Sequence, residues 1–257
     1  MAVGVERQGL FRVQCPYQAG RPSIRLQWRS VGFVHWDCDP AAVDRLLPSN
    51  LQPDLYGGRA WVGYQFVTVT ADTESLPRIV SSRRLPWGSL IRRAHYHEAR
   101  VVTCVVDRFG LPGVWNLSVD TDSSAVARLR RRVLNQDAHQ SEARFWSSAG
   151  QSVFWTQRGD GTTARLKITR GNPIRPTDID RFLTARWRTI LPPRPWVAPA
   201  ESRWVVTVHD QWRLHRAAVD HVDDDALIAA GLPPVSSRPQ ALWSPGVAVE
   251  IGLPRRD

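Results

Sequence analysis

Short runs of branched and aromatic residues, each closed by a glycine- or proline-containing turn, recur along the whole chain. Such runs suit a pleated, half-buried surface and are too short for an amphipathic helix. They predict strands over 26–36, 59–69, 96–107, 114–120, 152–157, 163–169, 204–210 and 248–251. The turns Tyr56-Gly57-Gly58, 109–113 and Gly159-Asp160-Gly161 separate neighbours among them, and the last two mark antiparallel hairpins.

Four short helices fall between the strands. Pro40 suits the first turn of a helix over 41–47, where its missing N–H has no helical partner anyway. Asp122 or Ser123 can cap a helix over 125–134. Thr177-Asp178-Ile179-Asp180 resembles a capping box opening a helix over 179–189, which Pro192, Pro193 and Pro195 end. The fourth covers 223–230 and stops at Gly231. Regular β-α alternation is absent, so the fold class is α+β with a mostly antiparallel sheet. Residues 1–25 read as an N-terminal arm and 26–257 as a single domain. The long segment 72–94, rich in proline and arginine, reads as a lid or binding loop.

Composition narrows the functional classes. The 257 residues are 42% hydrophobic, enough for a sizeable core, which argues against a wholly disordered chain. The net charge of +10 comes almost entirely from arginine, since Lys167 is the only lysine. The arginines are spread along the chain, and no zinc-finger, RNP or glycine-rich phosphate motif accompanies them, so nucleic acid is not an expected partner. The densest run, Arg128, Arg130, Arg131 and Arg132, reads as the solvated side of one helix. Cys15, Cys38 and Cys104 are odd in number and far apart, which points to a reducing compartment without a disulfide scaffold or structural zinc. No signal-peptide pattern opens the chain, and no stretch approaches the roughly 20 apolar residues that span a bilayer. A cytoplasmic protein with no membrane partner is expected, and homo-oligomerisation stays open.

Several local patterns then occur in a telling order. HWDCDPAAVDRLLP followed by LYGGRAWVGYQF resembles the opening of the YqjF-like family, domain of unknown function 2071. YHEARVVTCV and PGVWNLSVDTDS are similar to its central hairpin, DRFLTARWR to its later helix, VHDQWRLHRA to its His-x-x-Trp segment, and WSPGVAVEI to its last strand. The resemblance runs from about Trp28 to Ile251. That family resembles acetoacetate decarboxylase in fold, which implies a curved sheet closing into a barrel-like shape around an internal pocket. It also implies the position of the decarboxylase's Schiff-base lysine, near 133–139, where this chain has none. Lys167 lies in another segment, so imine chemistry is not expected.

The family's central strand usually reads aromatic-x-Glu-x-Asn-x-Arg. Here Glu98 is kept, while Arg100 and Val102 replace the usual Asn and Arg; Asn116 on the hairpin partner replaces a usual aromatic. Glu98 and Arg100 share one face of a strand. They read either as a proton-transfer group beside an anion-holding cation or as a structural ion pair. His95 and His97 occupy the opposite face; two histidines are too few for a metal site. His139 and His215 are weaker histidine candidates, and Cys104 reads as a buried small hydrophobe. No G-x-S-x-G element supports serine hydrolysis.

The expected function is a cofactor-independent enzyme of lyase, isomerase or cyclase type acting on a small organic acid or polyketide-like metabolite. Glu98, Arg100 and His209 are the expected catalytic residues, and Asn116, Trp115, Trp212 and Arg29 the expected substrate-binding ones. No cofactor or metal is expected. The alternatives are a non-catalytic small-molecule binder or sensor in the same pocket and, behind it, an arginine-mediated nucleic-acid binder.

Overall fold

Backbone pairing between strands, rather than helix packing, organises this chain. The computed structural model describes residues 4–6, 14–21, 23–71, 95–148, 150–193 and 203–256. Its strands are β1 Val5–Glu6, β2 Ser23–Cys38, β3 Leu51–Leu55, β4 Ala60–Ala71, β5 His95–Asp107, β6 Pro112–Thr121 and β7 Ala138–Ser148. After them come β8 Gln151–Arg158, β9 Thr163–Pro173, β10 Arg188–Leu191, β11 Arg203–His209, β12 His215–Asp223, β13 Gln240–Gly252 and β14 Arg255–Arg256. The helices are α1 Pro40–Asp44, α2 Ser124–Arg132, α3 Asp178–Thr184 and α4 Asp225–Ala229.

All described strands join one sheet in the order β1-β3-β5-β4-β2-β13-β12-β9-β8-β7-β6-β10-β11-β14, with further pairings β5–β6 and β11–β13. The sheet is mixed. β1–β3, β6–β10 and β6–β7 run parallel, and the other described ladders are antiparallel. Tyr64, Phe66, Phe154, Leu166 and Ile168 are fully buried in the largest core cluster. Charged pairs are buried with it, among them Arg188–Asp107 at 2.7 Å and Arg158–Asp120 at 2.7 Å. No helix among the described residues is long and apolar enough to cross a membrane.

β3, β7 and β12 are among the strands that carry no clear signal in the sequence. β3 contains Pro53, which cannot donate to a ladder. β7 and β12 are polar and partly exposed, so they lack an apolar alternation to announce them. They form because neighbouring strands offer paired backbone groups, as in the register from Ser141↔Arg158 to Ser148↔Gln151. The helix expected over 179–189 ends at Thr184, because Thr189 and Ile190 enter β10 beside β6 and β11. The strand expected over 248–251 is instead the long β13, which pairs with β2 along most of its length. Ser123 is the cap of α2, accepting from the Val126 N–H at 3.4 Å, and Asp180 accepts from the Thr177 N–H at 2.9 Å at the start of α3. The expected lid over 72–94 lies outside the described residues, whereas of the expected arm over 1–25 residues 4–6, 14–21 and 23–25 are described, with Val5–Glu6 paired to β3 and Ser23 opening β2.

One irregularity prepares the site. The β2–β4 register slips between Arg29 and Gly32, and Ser30 takes a φ of 48°. A one-residue slip exchanges the two faces of a strand. Ile24, Leu26 and Trp28 before the bulge therefore share an inward face with Phe33 and His35 after it. On the partner strand, Gly246 has a φ of +121°, and a Cβ there would lie 1.9 Å from the Trp28 carbonyl oxygen. Only glycine fits both the conformation and the space. Gly246→Ala is expected to destabilise the protein by at least about 1–3 kcal/mol, as overpacking does. Gly159→Ala, where a Cβ meets nothing within 4 Å, is expected to stay within about 0.5 kcal/mol. Urea denaturation of both variants measures the difference.

Candidate functional site

β5 supplies the centre of the site. Tyr96, Glu98, Arg100, Val102 and Cys104 alternate onto one face. Glu98 is fully buried, and its carboxylate is shared by two guanidiniums. Arg100 donates to Glu98 Oε2 from Nε at 2.7 Å and from Nη2 at 2.5 Å. Arg130 of α2 donates from Nε to Oε1 at 2.9 Å and from Nη2 to Oε2 at 2.8 Å. Each arginine is held from a third direction by a glutamine. Arg100 Nη1 donates to Gln65 Oε1 at 3.1 Å, Gln65 being its cross-strand neighbour on β4, and Arg130 Nη1 to Gln136 Oε1 at 2.8 Å. Arg100 also lies over the Trp28 ring, 4.5 Å from its centroid.

Two cavities meet at Arg100. The outer one has a volume of about 170 Å³. Its walls are largely aliphatic, with Val126, Leu129, Val133 and Leu134 from α2 and the turn after it, and Leu191, Val205 and Ile251 opposite. Arg100, Arg130, Gln136, Tyr96 and Asn116 give it its polar side. The inner cavity is about 40 Å³ and more polar, with His35, Gln65, Thr184, Arg186 and His209 in its wall. Trp28, Arg100, Asn116, Thr189 and Thr207 line both. Among the described residues, no aspartate, glutamate or lysine lines either cavity.

The sequence-expected residues separate by strand parity. Arg100, Asn116, His209 and Trp212 face the cavities. Trp115 does not: adjacent strand residues face apart, and it packs with Ile190 and Trp204 on the far side of β6. Arg29 is exposed and donates to Thr70 Oγ1 at 3.3 Å, because the residue that turns inward there is its neighbour Trp28. Glu98 lines neither cavity and stands behind the two arginines that cover it. His97 bonds Thr68 across the ladder and rests against Phe145, away from Glu98. His139 pairs with Asp137 at 3.1 Å, and Lys167 lies on β9 opposite His221 of β12.

Arg130 is the residue of the buried cluster that the charge pattern hid. Arg128, Arg131 and Arg132 are exposed, as expected of a solvated run, but Arg130 turns in. The available signal was apolar spacing: Val126, Leu129, Arg130 and Val133 stand at i, i+3, i+4 and i+7, the positions of one helix face.

Electrostatics follow from this packing. Burial pushes the Glu98 pKa up, but the charges and hydrogen bonds of Arg100 and Arg130 outweigh it, and the carboxyl stays below its ordinary range. Burial and the charge of Arg130 lower the Arg100 pKa, with Glu98 opposing. His209 sits between the rings of Trp187 and Trp212, with centroids at 4.5 and 4.7 Å. Burial lowers its pKa to about 4 against the partial opposition of Asp210. Its Nδ1 lies 2.7 Å from the Asp210 carbonyl oxygen, so the backbone of that residue, rather than its carboxylate, orients the ring. A carbonyl only accepts, so Nδ1 carries the proton and Nε2 keeps a lone pair. Burial, with the nearby Arg186 charge, lowers His35 to about 3.

Known proteins resemble this chain in sequence family and in fold. Residues 25–248 match the model of DUF2071, described as an uncharacterized conserved protein. The "Uncharacterized protein YqjF" of Bacillus subtilis (strain 168) is 31% identical over 100 residues, 38% of this chain and 36% of that protein. The enduracididine biosynthesis enzyme MppR, solved in complex with pyruvate, superposes with a TM-score of 0.60 at 14% identity, covering 92% of this chain and 91% of that one. The acetoacetate decarboxylase of Legionella pneumophila subsp. pneumophila str. Philadelphia 1 superposes at 0.57 with 13% identity, covering 92% and 88%. At such identities the likeness is one of fold, and the fold is that of acetoacetate decarboxylase.

Two stability effects are expected. Glu98→Gln removes one partner of a buried charge cluster and should cost about 3–5 kcal/mol by chemical denaturation. His209 takes up a proton at about 6.5 when unfolded but only at about 4 when folded. The unfolded state therefore binds more protons between those values, and stability falls as pH drops through that window. The slope it contributes is about 1.4 kcal/mol per pH unit. His209→Phe should flatten the measured pH dependence by that amount between pH 6.5 and 4 and leave it unchanged above.

Proposed function

The chain belongs to the DUF2071 family, and from that premise we propose that it is a cofactor-independent cytoplasmic enzyme acting on a small organic acid. One observation carries the reading: two guanidiniums share a single buried carboxylate at the wall of a largely aliphatic cavity. The cluster has one net positive charge. A guanidinium has five N–H groups. Glu98 and a glutamine engage three on Arg100 and three on Arg130, which leaves two on each for a ligand. A carboxylate or enolate oxygen accepts from these, and the hydrocarbon part of the ligand lies against Leu129, Val133 and Ile251.

Glu98 acts in this reading as a positioning residue. Its oxygens are fully engaged and its carboxyl is ionised, so the proton-transfer role expected of it passes to His209. His209 offers the Nε2 lone pair to the inner cavity, next to Arg100. The charge of a bound anion raises its basicity. The proton moves from ligand to Nε2, and Arg100 stabilises the negative charge left on the ligand. Lyase, isomerase or cyclase chemistry fits this arrangement, and imine formation does not, because Lys167, the only lysine, lines neither cavity. The same reading takes residues 26–257 as one domain whose sheet closes into a barrel; the β5–β6 and β11–β13 pairings support closure. MppR, a fold neighbour, holds pyruvate, which supports an organic acid as the ligand class here.

Calorimetry and proton NMR in D₂O test it, with pyruvate and short keto and hydroxy acids as probes. Arg100→Gln should weaken acid binding by about 10–100-fold, the worth of a charge-assisted hydrogen bond. His209→Phe should abolish deuterium exchange or product formation, and Lys167→Arg should leave both intact. Exchange that survives His209→Phe, or a borohydride-trapped adduct lost in Lys167→Arg, overturns the mechanism.

A further inference from the structure

The inner cavity has a polar character that anchoring a carboxylate does not require. His35 is 97% buried, with 3% relative exposure, yet its Nδ1 has no hydrogen-bond partner among the described residues. Arg186 donates to Asp54 Oδ2 at 2.5 Å from Nη1 and to the Phe182 carbonyl at 2.6 Å from Nε. Among the described residues its Nη2 meets no oxygen or nitrogen acceptor, and the Cys104 sulfur is the group that interacts with the guanidinium there. Both residues line the inner cavity beside His209, whose tautomer is fixed by the Asp210 carbonyl. At about 40 Å³ the space exceeds the roughly 10–15 Å³ that a water-sized group needs, but it does not admit a chain.

The chemistry of these partners selects among occupants. Arg186 Nη2 can only donate, and His209 Nε2 can only accept while neutral. His35, also neutral, can present either a donor or an acceptor at Nδ1. A carbonyl oxygen would leave His209 Nε2 unmatched. A second carboxylate would meet no uncompensated cation, because Arg186 is already balanced by buried Asp54. A hydroxyl both accepts and donates, and it matches the set. We infer that the inner cavity is a hydroxyl-binding subsite formed by His35, Arg186 and His209, and that the ligand is a hydroxy monocarboxylic acid. Its carboxylate rests on Arg100 and Arg130, its hydroxyl enters the inner cavity, and its hydrocarbon part stays in the outer one. This rests on the organic-acid reading of the outer cavity and adds the second functional group. A site built to hydrogen-bond a hydroxyl discriminates strongly against the analogue that lacks it, since its buried polar groups are then left unpaired.

The test is isothermal titration of the full chain with hexanoate, its α-hydroxy and β-hydroxy derivatives, and the dicarboxylate adipate. One of the two hydroxy acids should bind about tenfold or more tightly than hexanoate, the worth of one well-made buried hydrogen bond, and adipate should gain nothing. In His35→Phe the ratio of hydroxy-acid to hexanoate affinity should fall to about one. Should that variant fail to melt cooperatively, His209→Phe gives the same readout. Lys167→Arg should keep the wild-type ratio. Equal binding of hexanoate and both hydroxy acids would mean that water alone occupies the inner cavity and would overturn the inference. So would a preference for adipate, or a hydroxyl preference that survives in both histidine variants. Arg100→Gln separates the two levels: general loss of acid binding there upholds the outer-cavity reading whatever the hydroxyl ratio. If no acid of the series binds wild type, both fall.

Discussion

Glu98 is a carboxylate without water, and the arrangement around it follows from the cost of that position. An ionised carboxylate in a protein interior is tolerated only when its oxygens are bonded and its charge is met. Arg100 meets it from the same strand, two residues away, and Arg130 meets it from helix α2. One acid thereby docks a helix onto a sheet and orders two long side chains. Because two cations answer one anion, the cluster is left positive on the side that faces the cavity.

That geometry depends on register at two places. The bulge at Ser30 brings Trp28 and His35 onto one inward face of β2, so a single strand lines both cavities. The β5–β6 ladder slips between Val101 and Val102, where Asn116 and Ser118 stand opposite them and Leu117 is the extra residue. Asn116 therefore borders the cavities, while Trp115 packs away from them. Neither bulge has a local sequence signature strong enough to read, although Gly246 with its left-handed backbone marks the first from the partner strand.

The strands with branched or aromatic runs, the antiparallel preference and the Glu98–Arg100 face were all legible from residue type and spacing. The family resemblance gave the fold. What remained hidden was hidden for physical reasons. β7 and β12 are held by backbone ladders rather than apolar alternation. Arg29 and Trp115, expected at the site, are each the strand neighbour of the residue that faces the cavity, Trp28 or Asn116. Arg130 was absorbed into a basic run, although its spacing from Val126 put it on the apolar side of its helix. Lys167, the only lysine of the chain, lines neither cavity.

The central claim is that the Glu98-anchored guanidinium pair is where an anionic ligand is held. A crystal structure with para-iodobenzoate tests it most directly, because iodine gives an unambiguous anomalous signal for the apolar end. The account predicts carboxylate oxygens within hydrogen-bond distance, about 2.7–3.2 Å, of Arg100 and Arg130, with the iodine among Leu129, Val133 and Ile251 of the outer cavity. A carboxylate bound outside the cavity, or the ligand reversed with its iodine against the guanidiniums, would contradict it.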